Sequence, residues 1–223
     1  MKRVVVIAMC VLAVVSAPAQ AHHRCASSAD SRTAVSDSAV RLFEKRGLFY
    51  LCQYATGKKR LVGPKSQRNL DTESIRRFRL SGRFLAYERF FATFRGDPQF
   101  SILVRDTRTG RLIRRISAAY NAAEVDETRG DAELRDGVRD LVMSTAGAVA
   151  WILHNPYTAG PRTQVHRFDG QGQTLVEASD SISETSLTLA GRTVSYLKGT
   201  RRKSFELAAS PLNSLRSVVV AVG

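Results

Sequence analysis

The sequence predicts an all-β fold of four antiparallel β-units, and three observations carry that expectation. From residue 38 onward, short apolar segments recur, each bounded by Gly, Asp, Asn or Ser. Several of these segments alternate with the period of two that a half-buried strand requires. One local pattern also returns. It reads Leu80-Ser81-Gly82-Arg83-Phe84-Leu85-Ala86-Tyr87, then Leu189-Ala190-Gly191-Arg192-Thr193-Val194-Ser195-Tyr196. One residue tighter is Ser144-Thr145-Ala146-Gly147-Ala148-Val149-Ala150-Trp151, and a weaker copy runs from Lys45 to Cys52. The glycine supplies the positive φ of a tight hairpin. In the three better copies, a small residue lets neighbouring sheets approach and an aromatic fills the space between them. The glycines at 47, 82, 147 and 191 are separated by 35, 65 and 44 residues, the irregular spacing that loop insertions produce.

The units read in order as 38–63, 75–116, 138–178 and 186–222. In the first, segments 39–43 and 48–54 flank Gly47, and Thr56-Gly57 turns into 59–62. In the second, 75–80 and 83–91 flank Gly82, and 100–105 leads through Asp106-Thr107-Arg108-Thr109-Gly110 into 111–116. Within 75–80, Phe78 and Leu80 point one way and Arg77 and Arg79 the other, giving one buried and one basic face. Alternation in 111–116 is imperfect, which predicts a bulge or an edge. The stretch 121–137 is acidic and poor in apolar residues, and reads as a long exposed loop or a short frayed helix. The third unit comprises 138–143, 148–154, 163–168, the turn Asp169-Gly170-Gln171-Gly172, and 174–178. The fourth comprises 186–189, 193–197, 203–207 and a final apolar candidate at 217–222.

The first 21 residues read as a cleavable export signal: Lys2 and Arg3, an apolar run 4–15, Pro18, and the small-x-small site Ala19-Gln20-Ala21. The run would reach only about 18 Å, short of the ~30 Å of a bilayer core. The expected product is a secreted, extracytoplasmic chain of residues 22–223 with no transmembrane segment. Residues 22–37 read as a polar tether. Cleavage removes Cys10 and leaves Cys25 and Cys52, a pair expected to bridge in an oxidising compartment. Such a bridge closes a 28-residue loop, worth about 3–4 kcal/mol in the chain-entropy account.

The net charge of +14 is unevenly placed. Residues 45–115 hold 18 Lys or Arg against five Asp or Glu, an excess of +13, whereas 116–223 carry eleven against twelve. This asymmetry favours anionic partners such as a wall polymer or a lipid headgroup, and a protein partner is the other expectation. The candidate anion-binding residues are Arg76, Arg77, Arg79 and Arg83, and Arg105, Arg108, Arg111, Arg114 and Arg115. The interleaved aromatics Phe84, Tyr87, Phe90, Phe91 and Phe94 are assigned to the core rather than to base stacking, so nucleic acid is not an expected partner.

The repeating unit of strand, Gly-Arg turn, strand ending Ala-Tyr or Ala-Trp, strand, Asp-x-x-x-Gly turn and strand resembles the blades of TolB-like and WD40-like β-propellers. Asp106 to Gly110 matches the turn before a blade's outer strand, and Asp169 to Gly172 matches it less well. The resemblance covers about residues 38–207 and implies a small or incomplete β-propeller; a β-sandwich of the same hairpins is the alternative. The early Cys, the second Cys in the first strand pair and the Thr56-Gly57-Lys58 turn are similar to exported proteins of high-GC Gram-positive bacteria.

Catalytic motifs are sparse. Nucleophile elbow, Walker, dinucleotide and zinc signatures are absent. His154 and His166 fall at strand positions beside apolar residues and read as structural. Cleavage after Ala21 would place His22 at the N-terminus beside His23, where amine and ring together chelate copper if a second histidine faces them. The expectation is nevertheless a non-catalytic binding module without cofactor or metal. An envelope enzyme, copper-dependent through His22 or hydrolytic, is the alternative.

Overall fold

The computed structural model describes residues 25–26, 28–68, 72–92, 98–118, 137–155 and 160–209. Among them no residue is helical, and sixteen strands form four antiparallel sheets taken in chain order. Sheet A holds β1 (Ser31–Ser36), β2 (Val40–Lys45), β3 (Leu48–Gln53) and β4 (Lys59–Pro64). Sheet B holds β5 (Gln67–Arg68), β6 (Thr72–Ser81), β7 (Phe84–Ala92), β8 (Pro98–Asp106) and β9 (Leu112–Ser117). Sheet C holds β10 (Gly137–Met143), β11 (Val149–His154), β12 (Thr163–Asp169) and β13 (Gly172–Ala178). Sheet D holds β14 (Thr188–Ala190), β15 (Thr193–Lys198) and β16 (Arg201–Glu206). Each sheet is a meander with spatial order equal to chain order. Contacts between sheets centre on β6 and β10: β1 and β4 meet β6, β6 and β7 meet β10, and β10 meets β14. This is a propeller-like arrangement of blades, not two layers of a sandwich.

Period-two alternation explains how one strand serves two neighbours. On β7, Leu85 and Tyr87 face sheet A, where they join Val40, Leu42, Phe49 and Leu51. Phe84 and Ala86 face sheet C and pack with Trp151, Leu153 and Leu141. On β11, Val149, Trp151 and Leu153 face sheet B, whereas Ala150 and Ile152 face sheet D with Val194 and Tyr196. The Ala-aromatic pairs therefore act as read from sequence: Ala86 and Trp151 meet in one seam, the small residue opposite the large one. Trp151 is fully buried and donates its indole N–H to the carbonyl of Ala118 at 3.2 Å. Burying each such side chain contributes about 1.5–3 kcal/mol.

The two ends of the array are finished differently. The outer face of sheet A is covered by the Cys25–Cys52 disulfide, Phe43, Tyr50 and Tyr54. Buried Arg41 ties this cap down, donating to the carbonyl of Cys25 at 2.7 Å and to Thr33 Oγ1 at 2.8 Å. Sheet D turns Val194, Tyr196, Leu189 and Phe205 toward sheet C. Its pairing then places Thr188, Ala190, Thr193, Ser195, Ser204 and Glu206 on the other face. Among the described residues, no apolar cluster joins sheet D to sheet A.

The hairpin glycines 47, 82, 147 and 191 all have positive φ, and β9 is both an edge strand and bulged against β8. Two local readings are revised. Residues 31–36, read as part of a tether, form β1, because a polar strand is held by its ladder to β2 and needs only Val35 on the core. Sheet B also begins earlier than residue 75, with β5 and the start of β6. Within β6 a bulge between Arg76 and Arg79 puts Arg77 at φ 58°. The extra residue brings Ile75, Phe78 and Leu80 to the same core despite their spacings of three and two. The export segment, His22, His23, the acidic stretch up to residue 136 and segment 217–222 lie outside the described residues.

Candidate anion-binding interface

The arginines of β6 are spent on structure. Glu88, fully buried on β7, accepts from Arg76 Nε at 2.6 Å and Arg76 Nη2 at 3.2 Å, and from the amide of Val138 at 2.9 Å. A carboxylate with no access to water requires such partners, and this set ties sheet B to sheet C. Gly137 makes room for it: a methyl group there would stand 2.5 Å from Glu88 Oε1 and from the Phe100 ring. Arg77 donates to the carbonyl of Val138 at 3.2 Å, and Arg79 meets Asp140 at 3.2 Å. Asp140 extends the chain of contacts to sheet D, accepting the amide of Leu187 at 3.0 Å.

The second arginine group is arranged around the turn between β8 and β9. Asp106 forms the turn, accepting the amides of Arg108 at 2.7 Å and Thr109 at 3.0 Å, while Arg83 donates to its other oxygen. Burial alone would raise this carboxyl, but those amides and the Arg83 guanidinium outweigh it and hold its pKa below the ordinary carboxylate value. Its charge is thereby fully engaged. Arg105 donates to Tyr87 Oη at 2.7 Å and to the carbonyl of Gly110 at 3.0 Å. From sheet A, the Arg60 side chain lies directly over Gly110, in the space a Cβ would occupy. Gly110 has φ +70°, so both the turn and the close approach require glycine. Gln53 of sheet A locks the two turns together by donating to the carbonyls of Thr107 at 2.6 Å and Arg108 at 2.5 Å.

The result is a basic rim along the seam between sheets A and B. Arg60 sits opposite Leu51 and Arg115 opposite Leu103, so both belong to the faces that meet there. Arg108, Arg111 and Arg115 are exposed, as is Lys58 beside the Thr56-Gly57 turn. Among the described residues, none of Lys58, Arg60, Arg108, Arg111 and Arg115 is paired with a carboxylate. Arg60 Nε is in addition buried without an acceptor. Glu73 on β6 is held by Arg89 at 2.7 Å, and Glu44 on β2 by Lys65 at 3.0 Å. Arg114 is separate, its guanidinium 5.9 Å over the Phe168 ring. Of the nine arginines singled out in the sequence, the structure therefore brings Arg105, Arg108, Arg111 and Arg115 to one rim. It directs Arg76, Arg77, Arg79 and Arg83 to protein acceptors. Arg60 and Lys58 were missed because they lie in another unit; the Thr56-Gly57-Lys58 turn was the available signal.

The histidines do different things. His166 is fully buried, with its ring stacked on Trp151 at 5.2 Å and 9° and Nε2 2.9 Å from Gln164 Oε1. Burial lowers its pKa to about 4, so the ring is neutral at pH 7. It is a core group. His154 lies at the surface end of β11, where Glu184 reaches its Nδ1 at 2.8 Å and Arg139 Nε at 3.1 Å, neither in line with an N–H. Among the described residues, no group of three or more His, Cys, Asp or Glu is placed to hold a metal ion.

No family model matches the chain, and no curated protein matches it in sequence. In backbone shape it is similar to Hsv2 of Kluyveromyces lactis, with a TM-score of 0.37 and 10% identity over 80% of this chain and 68% of that one. A form of that protein with loop 6CD replaced by a Gly-Ser linker gives 0.37 and 10%, over 81% and 66%. Regucalcin from Agrobacterium tumefaciens, described as a calcium-binding protein, gives 0.35 and 15%, over 77% of this chain and 51% of its own. The chain thus spans about half of regucalcin and two thirds of the Hsv2 form.

Proposed function

We propose that this protein is an exported, non-catalytic binding module of the TolB-like or WD40-like kind, which meets an anionic component of the cell envelope through the basic rim between sheets A and B. One observation carries the reading: among the described residues, Lys58, Arg60, Arg108, Arg111 and Arg115 share that rim with no carboxylate paired to them, while Asp106 and Glu73 are already engaged. An uncompensated cluster of guanidiniums raises the local concentration of anions and offers planar forks to their oxygens. The disulfide agrees with an oxidising compartment. The test is co-sedimentation with purified anionic wall polymer and with anionic vesicles as salt is raised. Binding is expected to fall steeply with ionic strength. Salt-independent binding, or none to either material, overturns the reading.

A further inference from the structure

We infer that the rim is a track for an extended, linear polyanion carrying phosphate groups along its length, rather than a socket for one anionic group. This rests on the reading above and deepens it.

The cations are strung out, not converged. Arg60 covers Gly110 at one end, and Arg108 and Arg111 flank the same turn. Arg115 lies four residues beyond Arg111 on β9, about 13 Å along an extended strand. Lys58, two residues before Arg60, is a further exposed cation beside the Thr56-Gly57 turn. A single phosphoryl group contacts only one end of such a row, whereas a chain engages both ends at once and gains from the linkage. β9 is also the edge strand of sheet B among the described residues. The cations nearest the turn are arginines, whose fork pairs two oxygens of one phosphate. A polyanion held this way displaces counterions in proportion to the phosphates engaged, which makes its binding length-dependent and salt-dependent together.

The experiment measures binding of the protein to orthophosphate, tripolyphosphate and long-chain inorganic polyphosphate at several salt concentrations. Vesicles containing phosphatidylglycerol run in parallel. Affinity is expected to rise with chain length. R60E and R115E, at opposite ends of the row, are each expected to weaken long-chain binding about tenfold and to lower the salt slope by about one. R201E, on exposed β16 of sheet D, is the control and should change neither. Tripolyphosphate binding as well as the long chain, or an unchanged slope in R115E, overturns the track. If vesicles bind through Arg60 and the long chain does not, the track fails while the binding module stands. If nothing anionic binds, both fall.

Discussion

The seam between sheets B and C and the seam between sheets A and B are both lined by arginines from the same basic half of the chain, yet they treat charge in opposite ways. At the B–C seam every guanidinium of β6 finds an acceptor: Arg76 on Glu88, Arg79 on Asp140, and Arg77 on a backbone carbonyl. At the A–B seam the carboxylate of Asp106 is consumed by its own turn and by Arg83, and among the described residues the cations of the rim beyond it have no carboxylate partner. The excess of +13 in residues 45–115 is therefore two populations. One holds blades together; the other faces solvent, where it is available to a partner. Stability should respond to the first and binding to the second.

The sharpest way to break that division is at Glu88. Removing its charge breaks the buried end of the Arg76–Glu88 pair, and breaking a buried pair costs at most about 3–5 kcal/mol. E88Q should lower the chemical-denaturation midpoint accordingly while leaving salt-dependent binding of the folded protein intact. The paired change of Glu88→Leu with Arg76→Met should recover much of the loss, since an apolar pair of similar size is often as stable. A stable E88Q would show that the B–C seam does not depend on the ion pair.

The same seam should carry a histidine pH dependence, distinct from the carboxylate one that the lowered Asp106 gives the A–B turn as pH falls further. His166 titrates near 6.5 when unfolded and near 4 when folded, so the unfolded chain takes up a proton that the native chain refuses. Its contribution is present in full above pH 6.5 and declines as pH falls toward 4, by about 3 kcal/mol in all. Comparing unfolding midpoints at pH 7 and pH 4.5, H166F should lose distinctly less stability on acidification than the native sequence. An equal loss in both would assign acid sensitivity to carboxylates such as Asp106.

Two glycines separate the seams on a smaller scale. A methyl at Gly137 collides with the Glu88 carboxylate and the Phe100 ring, both held in the core, and its φ is +95°. G137A should cost about 3 kcal/mol. A methyl at Gly110 meets mainly the flexible Arg60 side chain, leaving the φ strain of about 1–2 kcal/mol. G110A should therefore destabilise less, measured by thermal unfolding, but weaken anion binding by displacing Arg60. G137A should do the reverse.

Much of this architecture was legible in the chain. The hairpin glycines and the small-then-aromatic endings located β7, β11 and β15, because a hairpin glycine and period-two burial are local requirements. The roles of the arginines were not legible, because charge compensation is a property of neighbours in space. Glu88 lies in the middle of an apolar strand and its partner lies twelve residues earlier across a bulge, while Gly137 is in another sheet. Arg60 reaches its place over Gly110 from fifty residues away. Strand β1 escaped notice for a different reason: a polar strand held by backbone pairing leaves little hydrophobic pattern. The bulge in β6 was not read from sequence, because the spacing of three between Ile75 and Phe78 marks one only once both are known to share a core.

The smallest expected effect on stability is also the one that most directly tests the division. Arg60 and Arg111 have no carboxylate partner among the described residues, so reversing both charges should move stability by no more than about 0.5 kcal/mol per site. Relief of like-charge repulsion even favours a small gain, largest at low salt where screening is weakest. The same R60E/R111E double variant should abolish salt-sensitive retention on an anionic matrix. A large loss of stability would mean that the A–B rim carries hidden structural pairing and that the two seams are alike after all. Unchanged stability with lost retention would establish that the fold set these arginines aside from its own cohesion.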